Sequence, residues 1–189
     1  MPTSQPTLHT DRLELRPPAP AYLPEIHRLI GAREVADTTL NIPHPYEDGM
    51  AEEWFKAQAE RYDNGEGVHF SIFLRAEQSL IGGISLLLDA RHQRGELGYW
   101  IGVPFWGQGY CTEAARAIVA YGFNTLDLNR IEAQHFTRNP ASGRVMQKIG
   151  MTYEGCLRQH VRRWEWFEDL AVYGLLQQDF GHGQSEDRV

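Results

Sequence analysis

The sequence is short of cysteine, with Cys111 and Cys156 the two in 189 residues. That is too few for a disulfide framework. Long apolar runs are missing as well. The longest near-apolar stretch, residues 80–88, is interrupted by Gly82, Gly83 and Ser85 and falls far short of the roughly 20 residues a membrane-crossing helix needs. Positive charge is in deficit, with 18 Lys and Arg against 25 Asp and Glu and a net charge of −7. Non-specific nucleic-acid binding needs the opposite balance. The first residues lack the basic and then apolar order of a secretory signal. The eight histidines are scattered, with no HExxH and no Cys/His cluster, so no metal site is expected. These absences lead to the expectation of a soluble cytoplasmic protein with neither membrane nor nucleic acid as a direct partner.

Hydrophobic residues make up 42% of the chain, enough for one sizeable core and too many for general disorder. No internal repeat or linker is evident. The expected organisation is one domain over residues 7–180, with polar tails at 1–6 and 181–189.

Alternation predicts a first strand at residues 13–16, which then meets Pro17 and Pro18. Helical spacing of apolar residues covers 22–30 and stops at Gly31, and a charged helix is predicted over 47–62. Residues 69–74 and 80–88 read as a hairpin, and 96–103 as the next strand. A helix at 112–126 with an apolar stripe, a strand at 130–137 and a helix from Asn139-Pro140 to Ile149 follow. Strands at 151–157 and 167–176 close the chain, with residues 160–167 as a loop between them. Adjacent strands with interspersed helices predict an α+β (mixed α/β) domain. Its centre is a mixed, twisted sheet of about seven strands with helices on both faces.

The most informative segment joins the predicted strand at 96–103 to the helix after it: Trp106-Gly-Gln-Gly-Tyr-Cys-Thr-Glu-Ala114. Gly107 and Gly109 let backbone N–H groups turn toward one point, and a helix start adds free donors and a positive dipole end. Together these suit a diphosphate. They equally suit a plain strand-to-helix turn with Thr112 as N-cap. The segment is neither a Walker A loop nor GxGxxG.

This motif resembles the acetyl-CoA loop of the GNAT N-acetyltransferases, in the RimJ/RimL-like branch. Leu8-His-Thr-Asp-Arg-Leu-Glu-Leu-Arg16, Gly95-Glu-Leu-Gly-Tyr-Trp-Ile101, Asn139-Pro-Ala-Ser142 and Lys148-Ile-Gly-Met151 are similar to that branch's motifs, in order. The resemblance implies an enzyme that moves an acetyl group from acetyl-CoA to an amine. The acceptor would be a small molecule or a protein N-terminus, and the family often forms homodimers. It implies that Ile101, Gly102 and Val103 present backbone to the amide arm of the co-substrate. Gly107, Gln108, Gly109, Tyr110, Cys111 and Thr112 would hold the diphosphate, and Asn139 would touch the arm. Arg144 and Lys148, four apart on one helix, share a face that can meet a phosphate. Cys111 reads as packing rather than as a nucleophile.

Glu96 is the candidate base. On a strand it shares a face with Gly98, Trp100 and Gly102, which leaves room for an amine or a water, and Trp100 would raise the carboxylate pKa by excluding water. Many family members carry a Tyr where this chain has Met146, which has no proton to give. Ser142, where the RimL-like branch is similar in using a Ser, is then the hydroxyl left to protonate the departing thiolate, with protonation by solvent as the alternative. The missing Tyr also leaves open a CoA-binding module without turnover. Trp164 and Trp166 belong either to the acceptor pocket or to a hairpin core, and Asp169 and Tyr173 to strand packing.

Overall fold

The computed structural model describes residues 4–181. Of the expected tails, residues 1–3 and 182–189 lie outside the described residues. Gln5, inside them, is tied down by donation of its Nε2 to the carbonyl of His69 at 2.6 Å.

The strands are β1 (Leu8–His9), β2 (Leu13–Arg16), β3 (Gly67–Leu74), β4 (Ser79–Asp89), β5 (Arg94–Ile101), β6 (Arg130–Phe136), β7 (Thr152–Arg163) and β8 (Trp166–Leu176). The helices are α1 (Leu23–Ile30), α2 (Arg33–Thr38), α3 (Met50–Asp63), α4 (Tyr110–Asn124) and α5 (Pro140–Lys148). One eight-stranded sheet runs in the order β1-β2-β3-β4-β5-β6-β8-β7. Every neighbouring pair is antiparallel except β5 and β6, which are parallel and joined through α4, the crossover such a pair requires.

The expected mixed sheet with helices on both faces is what forms. On one face, Phe70, Ile72, Ile84, Leu86 and Leu97 pack against Ala114, Ala115 and Ile118 of α4. On the other, Phe73, Leu80 and Trp100 pack against Leu23, Ile26 and Leu29 of α1. The α1 residues recur at helical spacing, which is why this short segment folds as a helix once the sheet is there to cover it. Helix α5 opens as its sequence dictates. Asn139 Oδ1 accepts from Ser142 N at 3.4 Å and Pro140 takes the first position.

One detail of the sheet prepares a site. β5 and β6 share three registered pairs, Arg94 with Arg130, Gly95 with Ile131 and Glu96 with Glu132. Beyond these the two strands part, and the edge of β5 from Leu97 to Ile101 has no strand beside it.

The structure corrects several expected boundaries. The sheet has eight strands rather than about seven, because Leu8–His9 folds back on β2. The predicted loop at 160–167 is instead a continuous hairpin, with β7 reaching Arg163 and turning at Trp164 (φ 53°). Register shifts at Tyr153/Gly155 and Leu157/Val161 scramble the alternation of β7, so the sequence does not read as a strand there. Helix α2 was not expected, being short and without a side-chain cap. Helix α3 starts at Met50 rather than residue 47, after Gly49 in the left-handed region. β5 ends at Ile101, so Val103 is outside the strand.

Candidate active site

The loop between β5 and α4 is held from outside. Arg12 donates through Nη1 to the Gln108 carbonyl at 3.1 Å and through Nε to Glu113 Oε2 at 2.7 Å. The Arg12 N–H and Thr10 Oγ1 reach Glu113 Oε1 at 2.9 and 2.6 Å. Burial raises the Glu113 carboxyl pKa, but the bonds from Thr10 and Arg12 outweigh it and leave the group below its ordinary value. Gly107 and Gly109 sit at φ 75° and 81°, a region that side chains disfavour. Gly109 therefore carries the chain straight into the helix. Helix α4 starts at Tyr110 with Gly109 as N-cap, two residues before the expected Thr112.

The consequence is a set of free donors. Among the described residues, the N–H groups of Gly107, Gln108, Gly109, Tyr110, Cys111 and Thr112 make no backbone hydrogen bond. All of these residues except Gln108 line a cavity of about 410 Å³, namely Gly107, Gly109, Tyr110, Cys111 and Thr112. Ile101, Asn139, Arg144 and Lys148 line it as well. Among the described residues, neither Arg144 nor Lys148 is in an ion pair, so both cations are available to an anionic ligand. Gly102, Val103 and Gln108 are not part of this lining. Gly102 N–H is committed to the Ile81 carbonyl at 2.8 Å, and Gln108 Nε2 to Pro104 O at 3.3 Å. The Ile101 carbonyl accepts from Trp106 Nε1 at 2.6 Å. Cys111 is half-buried against the core, its thiol pKa pushed up to about 12 by desolvation, so at neutral pH it is not a thiolate.

A second, larger cavity of about 770 Å³ opens on the other side of β5. Its floor is the face expected from sequence, with Glu96, Gly98 and Trp100 together. Leu87, Ser85 and Gly83 of β4 stand opposite them in register. Trp54 and Glu53 of α3 and the 39–43 segment after α2 form the walls. Glu96 is exposed and accepts from Gln134 Nε2 at 3.1 Å. Trp100 is instead buried four residues along, so it does not cover that carboxylate. Trp164 and Trp166 line neither cavity. Trp164 lies beneath the guanidinium of Arg163 at 4.8 Å. Asp169 accepts from Gln159 N at 2.7 Å and the Tyr173 hydroxyl from Gln147 Nε2 at 3.3 Å, both within the structural frame.

The two cavities meet at Thr38, Tyr99, Trp100 and Ser142, which line both. Sequence reasoning did not single out Tyr99. Its hydroxyl is 2.8 Å from Ser142 Oγ and 3.1 Å from the Ser142 carbonyl. Burial, with Cys111 nearby, pushes the phenol pKa up, against a smaller opposing effect from Ser142, so it stays protonated. The available signal was its place on the face of β5 opposite Glu96, toward α5. Met146 is almost fully buried in the core and also lines the larger cavity, one helical turn from Ser142. Among the described residues, no group of three or more His, Cys, Asp and Glu could hold a metal ion, and no helix is long and apolar enough to cross a membrane.

Comparison with known proteins agrees with this arrangement. Residues 12–152 match the family model described as an acetyltransferase (GNAT) domain. An uncharacterized N-acetyltransferase of Bacillus subtilis, YoaA, is 37% identical over 116 residues, covering 61% of this chain and 66% of its own. A ribosomal-protein-serine acetyltransferase of Escherichia coli is 28% identical over 61% of this chain and 64% of its own. The matched stretch thus spans about two thirds of these relatives. Among solved structures, RimL, a ribosomal L7/L12 alpha-N-protein acetyltransferase in complex with Coenzyme A, superimposes with a TM-score of 0.84 at 19% identity, over 90% of this chain and 98% of that one. The family match, over residues 12–152, covers most of the chain: this chain belongs to the GNAT acetyltransferase family.

Proposed function

We propose that the protein transfers an acetyl group from acetyl-CoA to an amine, by direct attack while both substrates are bound. The observation that carries this reading is the row of unpaired N–H groups at 107–112, opening on a cavity with the free cations Arg144 and Lys148. Main-chain donors at a helix start suit a diphosphate. The free edge of β5 beside them suits an amide-bearing arm, with Ile101 and Asn139 along its path. Gly102 contributes shape rather than a donor, since its N–H is taken.

The thioester belongs at the junction of the two cavities. There the amine nitrogen forms a bond to the acetyl carbon and the carbon–sulfur bond breaks. Ser142 Oγ gives its proton to the leaving sulfur, Tyr99, hydrogen-bonded to Oγ, passes a proton to it, and water in the cavity returns the proton to Tyr99. The proton lost by the amine passes through water to Glu96, whose exposed carboxylate lies on the floor of the acceptor cavity. The acceptor is a primary amine of a small molecule or of a protein N-terminus, in line with the named activity of the ribosomal-protein relative.

Calorimetry with acetyl-CoA, followed by thiol release with a panel of amines and peptides, tests the reading. Saturable binding and amine-dependent thiol release are expected, and Glu96→Gln is expected to lose turnover while keeping co-substrate affinity. Absence of binding at high micromolar concentration would end it. Binding without thiol release from any amine would favour a CoA-binding module, the reading that Met146 in place of a Tyr supports.

A further inference from the structure

The unpaired edge of β5 already carries an occupant. Gly102 N–H donates to the Ile81 carbonyl at 2.8 Å, and Ile101 stands opposite Gly82 in register. Bonded and non-bonded positions alternate along an antiparallel pair. The backbone groups of Trp100 and Gly102 therefore face β4, and those of Tyr99 and Ile101 face the edge that no strand covers. On that edge the Ile101 carbonyl accepts from Trp106 Nε1 at 2.6 Å. The N–H of a neighbouring strand would stand about 2.9 Å from the same oxygen. The indole nitrogen thus takes the place of an extended chain's amide, where an amide-bearing arm would run alongside β5.

The ring is lightly held. Trp106 is 43% exposed. Phe105, its neighbour in sequence, packs against both core clusters, whereas Trp106 packs against neither. On its other side, a Cβ on Gly107 would meet nothing within 4 Å, so there is open space for the indole to turn into. Trp106, Gly107 and Ile101 all line the smaller cavity. One neutral hydrogen bond is worth roughly threefold to tenfold in an equilibrium, little enough for an incoming amide to replace it.

Building on the acetyltransferase reading, we infer that Trp106 is a gate on the co-substrate site. In the empty protein its indole satisfies the Ile101 carbonyl, which would otherwise be an unpaired acceptor on a sheet edge. When acetyl-CoA binds, an amide N–H of its arm takes over that carbonyl, and the indole turns away toward Gly107. One donor is exchanged for another at a single oxygen, and no covalent bond changes. The donors at 107–112 and the cations Arg144 and Lys148 take no part in the exchange. A ligand that has the diphosphate without the arm therefore leaves the gate shut.

Calorimetry with CoA and with ADP, on wild type and Trp106→Phe, tests this. Phenylalanine keeps an aromatic ring and removes the N–H. The variant is expected to bind CoA about threefold to tenfold more tightly, and to bind ADP, which has no arm, as the wild type does. Unchanged or weaker CoA binding in the variant overturns the inference, as does an equal gain for ADP. A measurement on the wild type covers a variant that does not fold. The assigned Trp106 indole N–H resonance is expected to move upfield on saturation with CoA, as its short bond is lost, and to stay in place with ADP. A resonance that stays in place with CoA means that indole and arm share the two lone pairs of the carbonyl, and it overturns the gate. CoA binding to neither protein ends the acetyltransferase reading and the gate with it. CoA binding with that resonance unmoved ends the gate alone.

Discussion

At the scale of single residues, the junction of the cavities rests on the hydrogen bond between Tyr99 and Ser142, 2.8 Å long. Ser142→Ala is expected to lower kcat by on the order of 100-fold, with acetyl-CoA affinity nearly unchanged, in single-turnover thiol release. Tyr99→Phe is expected to cost less, about tenfold, because Ser142 can recover its proton from water. His69 makes a separate, thermodynamic prediction. Its folded pKa of about 3 lies below the ordinary 6.5, so between those values the unfolded chain binds a proton that the folded one does not. Its contribution is complete above pH 6.5 and is lost progressively on acidification. His69→Phe is expected to flatten the dependence of urea midpoint on pH across pH 4–6.5, removing up to about 1.4 kcal/mol per pH unit. An unchanged slope would show that the ring is hydrated in the folded state.

The behaviour of the elements follows from how their ends are held. Helix α4 begins at Gly109, in the left-handed region at φ 81°. Gly109→Ala is expected to destabilise the fold by about 1–2 kcal/mol and to weaken acetyl-CoA binding, because the donors of the loop rotate with the turn. Calorimetry and thermal melting together check both effects. The Glu113 anchor has a lowered pKa, so the hold of Arg12 and Thr10 on it is present above the unfolded carboxylate value and fades as pH falls through the folded one. Glu113→Gln is expected to weaken acetyl-CoA binding at neutral pH and to make the remaining affinity less sensitive to acid. In the interior of the same helix, Ile118 is fully buried, and Ile118→Ala is expected to cost about 2–5 kcal/mol in denaturant unfolding.

For the whole molecule, the far hairpin reaches across to shape the larger cavity. Arg163, at the end of β7, donates to the carbonyls of Ala36, Leu40 and Ile42, around the segment that walls the cavity. Arg138 adds bonds to Asp37 Oδ2 at 3.1 Å and its carbonyl at 2.8 Å. The sheet order puts β7 at one edge and α2 near the other end of the chain, so these bonds join segments more than 100 residues apart. Arg163→Met keeps the aliphatic stem and removes the donors. It is expected to raise KM for the amine several-fold while leaving acetyl-CoA affinity within about twofold, measured by steady-state kinetics and calorimetry. Equal effects on both would mean that the hairpin supports the whole sheet rather than one wall.

The order of the main elements, the glycine turn and the cap of α5 were legible because each is local. Gly107, Gly109, Asn139 and Pro140 act within a few residues of themselves, through backbone freedom and unpaired N–H groups. The shared face of Glu96, Gly98 and Trp100 was legible for the same reason, since strand alternation fixes it. What the sequence could not express was contact between distant segments. Tyr99 meets Ser142 only because β5 and β6 part after three pairs, and His69 meets Trp100 only because β4 carries Gly83 between their strands. Those meetings depend on register and on the absence of a side chain at one crossing point, and both are set by how the sheet closes.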